Sequence, residues 1–224
     1  MHRKMNISEA PTAISFDLFG TLVQVDAPAD PAGAVATELT SRNISVPDSW
    51  PQTYAESHID TANGEEVPLQ HHVAAVLENQ QGAIETDREV WRAEIDRAVT
   101  KAFDSDVCTR PGAIEAVEAA RDNGPVGILS NCSLPGLARR SIRRSELSVD
   151  AFDAIVTSVE CGWRKPNRRA FLSIADVLEV PASDLLHIGD DEHADGGASH
   201  VGARTVLTEE ISLREFAELL RGSE

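Results

Sequence analysis

Lysine is nearly missing from this chain: of twenty basic residues only Lys4, Lys101 and Lys165 are lysines, the others being arginine. Positive charge of either kind is short, set against 37 acidic residues for a formal net charge of −17. Phosphate backbones and anionic lipid surfaces demand a basic footprint, so this balance argues against nucleic acid or an anionic membrane as partner, and a small-molecule substrate is expected. Many carboxylates with hardly any lysine suit concentrated salt, where screening shortens the reach of self-repulsion, and a halophilic source is expected. Cysteine is scarce too. Cys108, Cys132 and Cys161 are far apart, odd in number and form no C-x-x-C pair, which argues against a disulfide framework and against a zinc site. No apolar run is long enough to cross a bilayer, and the opening Met-His-Arg-Lys-Met-Asn lacks the apolar segment of a signal peptide, so a cytoplasmic protein is expected.

What is present begins at Thr12-Ala-Ile-Ser-Phe-Asp-Leu-Phe-Gly-Thr-Leu-Val23. Its apolar, β-branched and aromatic residues suit a strand covered on both faces, and Gly20 permits a sharp turn directly after it. Asp17 is thereby delivered to the strand's carboxyl end, the edge of an open parallel sheet where ligands bind. Residues 1–10, before it, carry no periodicity and read as a loose leader.

From about Gln24 to Asp106 no buried-strand run occurs. Amphipathic helices are expected near 31–41, 49–60, 68–78 and 87–103, the last with Val90, Ile95, Val99, Ala102 and Phe103 approximating one apolar face. Trp50, Tyr54 and Trp91 are expected to pack this helical insertion. His58, His71 and His72, without a close cysteine or acidic pattern, do not read as a metal site. After Arg110-Pro-Gly-Ala113 the pattern becomes strand and helix in alternation. Helices are expected near 111–122, 134–145, 167–178 and 212–220, and strands at 126–129, 154–157, 185–189 and 203–207. Such alternation implies right-handed β-α-β units around a parallel sheet. The expected fold class is α/β, a Rossmann-type core from 11–22 and 108–224 with an all-helical cap inserted at 23–107.

Three later strand ends carry polar groups that match Asp17. Ile128-Leu-Ser-Asn131 ends in a hydroxyl and an amide, Arg164-Lys-Pro166 supplies cations, and His187-Ile-Gly-Asp-Asp191, with Asp195 following, ends in carboxylates. Three acids so close cannot all stay ionised without a cation, and oxygen-only ligands suit a hard ion such as Mg²⁺. Ser130 is expected to donate a hydrogen bond to a phosphoryl or carboxylate oxygen, with the Asn131 backbone N–H beside it. Lys165, conspicuous among so few lysines, is expected to pair with Asp17 and with developing negative charge.

In their order and spacing these four segments resemble the haloacid dehalogenase-like (HAD) hydrolase superfamily, in particular its members with a helical cap after the first motif. The resemblance implies a hydrolase in which Asp17 is the nucleophile and forms a covalent aspartyl ester. It implies a Mg²⁺ site from Asp17, the Phe19 backbone carbonyl and Asp190, with Asp195 or Asp191 as a further ligand and the other orienting a water. Thr21 would touch a substrate oxygen or steady the turn. Position 19 departs from the phosphatase pattern, where a second Asp protonates the leaving oxygen; Phe19 transfers no proton, and losing such help costs on the order of 10²–10⁴ in rate. An aromatic residue there is seen in the dehalogenase branch, whose halide needs no proton. The expected activity is phosphatase action on a small phosphorylated metabolite by a monomer or homodimer. The alternatives are hydrolysis of a 2-haloacid, or a non-catalytic phosphate-binding protein.

Overall fold

A computed structural model describes residues 11–56, 58–81 and 87–222. The segment 1–10 that reads as a leader lies outside the described residues, as does the end of the chain at 223–224.

The first strand, β1 (Ala13–Phe16), is wholly buried and lies at the centre of a five-stranded sheet. The other strands are β4 (Val126–Ser130), β5 (Ala154–Thr157), β6 (Leu185–Gly189) and β7 (Arg204–Leu207), with β2 (Val23–Val25) and β3 (Val107–Thr109) forming a separate antiparallel ribbon. The sheet runs in the order β5-β4-β1-β6-β7, every neighbouring pair parallel. Strand order reverses at β1, so the crevice beyond its carboxyl end is the topological switch point where open α/β sheets bind ligands.

Period-2 alternation sends Ile14 and Phe16 of β1, with Leu186 and Ile188 of β6, to one face. There they meet α5 (Ala113–Arg121) and α10 (Leu213–Arg221); the Phe16 and Phe216 rings pack edge to face, centroids 6.1 Å apart. Ala13, Leu129 and Leu185 point to the opposite face, under Phe171 and Ile174 of α8 (Arg168–Val177). A sheet covered on both sides explains why its strands read as unbroken apolar runs. α6 (Leu137–Arg144) follows β4, and two single-turn helices, α7 (Ser158–Cys161) and α9 (Glu192–Asp195), follow β5 and β6.

Between β2 and β3 lie α1 (Pro31–Ser41), α2 (Trp50–Ala55), α3 (Leu69–Gln81) and α4 (Arg88–Ala102) around their own apolar cluster. Trp50 and Trp91 are buried in it, Tyr54 packs on it, and the Trp50 indole donates to the Ala32 carbonyl at 2.8 Å. The buried stripe of α4 is Trp91, Ile95, Ala98 and Val99, spaced i, i+4, i+7 and i+8. Val90, expected on that face, is 54% exposed, because a stripe centred on Trp91 turns its neighbour to solvent. The α2 helix ends at Ala55 rather than near 60, since Glu56 is already extended. The β2–β3 ribbon is absent from the sequence reading: strands of three residues are too short to show a period. Among the described residues no helix is long and apolar enough to cross a membrane.

Candidate active site

Asp17 follows β1, and its backbone N–H is held by the Ile188 carbonyl at 2.8 Å, so the residue leaves the sheet in strand register. The chain then turns at Gly20, whose φ of +96° lies in the left-handed region where a side chain is strained. Leu22 and Val23 both donate back to the Leu18 carbonyl and close the turn.

Lys165 reaches this point from the loop between α7 and α8. Its ammonium donates to Asp17 Oδ1 at 2.8 Å and to Asp195 Oδ1 at 2.6 Å, with only 2% of the side chain exposed. Asn131 fixes the same residue by its backbone: the side-chain oxygen accepts from the Lys165 N–H at 2.8 Å and the side-chain nitrogen donates to the Lys165 carbonyl at 3.0 Å. The amide expected to offer a backbone N–H to substrate thus has a side chain devoted to the lysine loop.

Asp195 is fully engaged. Its Oδ1 accepts from Lys165 and from His187 Nε2 at 2.9 Å, and its Oδ2 accepts from the Asp191 N–H at 3.0 Å. A side chain at Gly189 would put its Cβ 2.0 Å from the Asp195 carboxyl carbon, so only glycine lets Asp195 fold back beneath the strand end. Beneath the carboxylate, His187 Nδ1 meets Ser15 Oγ at 2.8 Å across directly paired positions of β6 and β1. The Phe171 ring closes edge-on over His187 at 5.3 Å. Motif order does not reveal this Ser15–His187–Asp195 chain. The available signal was two polar residues inside fully buried strands, which must find partners there.

Asp190 takes a different direction. Its Oδ1 accepts from the Thr21 hydroxyl at 2.8 Å, and a Cβ on Gly20 would come within 2.3 Å of its other oxygen, so the carboxylate lies against the turn that begins at Asp17. Asp191 caps the N-terminus of α9, accepting from the His193 and Ala194 N–H groups at 2.8 and 3.2 Å. Ser130, at the end of β4, is buried with no partner for its hydroxyl among the described residues. The structure thus joins Asp17, Lys165 and Asp195 directly, ties Thr21 to Asp190, and turns Asp191 aside.

Two of these carboxylates share a single ammonium. Burial raises the Asp17 carboxyl above its usual range even though Lys165 pulls the other way. Burial also works against charge on Asp195, but the His187 hydrogen bond and the Lys165 charge outweigh it and hold that carboxyl well below the usual range. Burial would neutralise Lys165, yet Asp17 and Asp195 together raise its pKa; burial lowers that of His187, whose Nε2 faces the Asp195 carboxylate. With Asp190 added, the strand ends carry more negative than positive charge before any anion arrives.

A parallel α/β core with an aspartate at the switch point, a buried lysine on it and acids beyond the next strand is the arrangement to set beside known proteins. The chain belongs to the haloacid dehalogenase-like hydrolases: that family's model matches residues 11–199. Pyrimidine 5'-nucleotidase YjjG of Escherichia coli (strain K12) is 30% identical over 134 residues, 58% of this chain and 58% of its own. Phosphatase MT3486 of Mycobacterium tuberculosis (strain CDC 1551 / Oshkosh) is 35% identical over 100 residues, 44% of this chain and 46% of its own. The chain therefore spans about half the length of the curated relatives it matches. Among solved structures, a 2-haloacid dehalogenase from Pseudomonas syringae pv. Tomato DC3000 superposes with a TM-score of 0.69 at 18% identity, covering 96% of this chain and 100% of that one. The HAD-hydrolase YfnB of Bacillus subtilis, described as bound to magnesium, superposes with a TM-score of 0.53 at 19% identity over 95% and 98%. At such identities these two likenesses speak for the fold alone.

The family generally uses Mg²⁺, and the donor set here fits an open site rather than a cage. Among the described residues no three His, Cys, Asp or Glu side chains gather as a metal cluster. Mg²⁺ does not require one, since it keeps several waters and takes one or two carboxylates together with substrate phosphate. Asp17, Asp190 and the Phe19 carbonyl are all oxygen donors of this hard kind, and the strand ends carry excess negative charge.

Proposed function

We propose that the chain is a Mg²⁺-dependent phosphatase of a small phosphorylated metabolite, acting through an aspartyl-phosphate on Asp17. The observation that carries this reading is the orientation of Asp190, fastened by Thr21 against the Gly20 turn. A second carboxylate at that turn serves a cation, and displacement of a halide has no use for it. Asp17, Asp190 and the Phe19 carbonyl would hold the ion, with Asp191 and Asp195 supporting the loop and the lysine. Bound there, Mg²⁺ supplies positive charge that offsets repulsion between a carboxylate nucleophile and a phosphoryl group.

An Asp17 oxygen attacks phosphorus as the bond to the leaving oxygen breaks, and water then attacks the same phosphorus, releasing phosphate and restoring Asp17. Lys165 neutralises charge on the nucleophile and on the phosphoryl oxygens. The Ser130 hydroxyl, buried with no partner among the described residues, donates to one of those oxygens and is satisfied by it. Phosphomonoester chemistry accords with the names of the nucleotidase and phosphatase relatives. Phe19 restricts the choice of substrate: with no acid at that place, a leaving oxygen that is already a weak base departs most readily.

Phe19 also favours a second reading, metal-independent hydrolysis of a 2-haloacid. One assay set separates the two. With Mg²⁺ and an activated aryl phosphate, phosphate release supports the phosphatase; with 2-chloropropionate and EDTA, chloride release supports the dehalogenase. Asp17→Asn abolishes whichever activity is present. If the aryl phosphate is untouched with metal present, the phosphatase reading is wrong.

A further inference from the structure

The segment 64–68 between α2 and α3, with Leu69 at the start of α3, lies as a strap across the two core loops that carry Asn131 and Lys165. Its backbone bonds to both loops: Leu69 N–H donates to the Ser133 carbonyl at 2.9 Å, Glu66 N–H to the Gly162 carbonyl at 2.9 Å, and Arg164 N–H to the Gly64 carbonyl at 2.8 Å. Glu65 and Trp163 form an antiparallel bridge beside these.

One charged side chain enters from the strap. Glu66 keeps only 3% of its side chain exposed, and its carboxylate accepts from the Ser158 hydroxyl and, at 3.2 Å on both oxygens, from the Arg164 guanidinium. Ser158 Oγ in turn accepts the Cys132 N–H at 2.8 Å. One carboxylate therefore fixes the residue after Asn131 on one side and the residue before Lys165 on the other. The Asn131 side chain ties those same loops together a single residue further in, on the Lys165 backbone. A carboxylate is costly to bury, and this one spends its side-chain bonds on Arg164 of the lysine loop and on Ser158 of α7, which relays it to the loop after Asn131.

We infer that Glu66 is a positioning residue: seated from the strap, it sets the register between the Ser130–Asn131 loop and the Lys165 loop, so the placement of Lys165 on Asp17 depends on the strap being docked. This inference rests on the phosphatase reading for its kinetic consequence but not for its structural one. Displacing a catalytic group by about 1 Å costs roughly 10² in rate, whereas binding of a phosphate held by other contacts changes little.

The test uses Glu66→Gln, which keeps shape and loses charge, and Ser158→Ala, which leaves the Glu66–Arg164 pair intact but cuts the link to Cys132. Amide hydrogen exchange on the full chain is expected to quicken about tenfold or more at Cys132, Arg164 and Lys165 in Glu66→Gln, and at Cys132 in Ser158→Ala, with α5 and α10 unchanged. With an aryl phosphate, Glu66→Gln is expected to lower kcat between roughly tenfold and 10² with KM within about twofold. Unchanged exchange at those amides, or unchanged kcat in folded Glu66→Gln, overturns the inference. If the unmodified chain releases no phosphate, the functional reading fails, and the exchange experiment still decides whether Glu66 holds the two loops.

Discussion

Replacing Phe19 by Asp puts a proton-transferring group two residues after the nucleophile, and the structure allows the outcome to be weighed. The Phe19 ring is half-buried where the sheet core meets the helical cluster, packing against both. Removing a fully buried Phe costs about 3–5 kcal/mol, so a half-buried ring costs roughly 2 kcal/mol, well inside the ~5–15 kcal/mol that holds a domain together. The melting temperature is expected to fall by about 4–8 °C, and the variant still folds. Against this, general acid catalysis supplies about 10²–10⁴ in rate, or roughly 3–5 kcal/mol of transition-state stabilisation, when the leaving oxygen is a strong base. The assay is the ratio of kcat/KM on an alkyl phosphate to that on an aryl phosphate, which cancels any loss of folded enzyme. That ratio is expected to rise by about 10² or more in Phe19→Asp and to stay near the original value in Phe19→Asn, which loses the same packing without gaining a proton. An unchanged ratio in Phe19→Asp, or an equal rise in Phe19→Asn, refutes the account of position 19.

The other expectations concern the site's charges. Thr21→Val removes the hydroxyl that orients Asp190 and is expected to weaken Mg²⁺ binding by about tenfold or more, read by calorimetry without substrate; unaltered affinity would remove Asp190 from the metal site. The folded-state pKa of Asp195 lies below its unfolded value, so its stabilisation is complete above the ordinary carboxylate range and disappears as pH falls toward the depressed value. Asp195→Asn is therefore expected to flatten the loss of stability below about pH 4, and denaturant titrations at pH 7 and pH 3 would expose an unaltered slope as a contradiction. Finally, a net charge of −17 predicts that unfolding midpoints rise as NaCl goes from about 0.1 to 1 M, where the screening length shrinks from about 10 to 3 Å; a salt-independent midpoint would count against self-repulsion as a burden on the fold.

Much of the architecture could be read from local pattern. The apolar runs at 13–16, 126–130, 154–157 and 185–189 are strands because both faces of the sheet are covered, and a continuous run is the imprint of that burial. Pro31 begins α1 as expected, whereas Pro111 lies in the turn before α5, which starts only at Ala113 after Gly112 at positive φ; Gly20 takes the positive φ that the turn after Asp17 needs. Asp17, Ser130 and Lys165 stood out because strand ends and a scarcity of lysine mark them.

The pairings did not show. Ser15 with His187, Lys165 with Asp195 and Glu66 with Ser158 are separated by 172, 30 and 92 residues, and nothing in local sequence encodes which buried polar group answers which. The three adjacent acids read as one cluster, yet the fold sends them to different tasks: Asp190 to the Thr21 turn, Asp191 to a helix cap, Asp195 to Lys165 and His187. Sequence determined which segments become strands and which side chains arrive at their ends, because periodicity and turn chemistry act within a few residues. Only tertiary packing decided where each carboxylate points, because a buried charge adopts the orientation in which distant donors satisfy it, and those donors are brought near only when the sheet and its covering elements close around them.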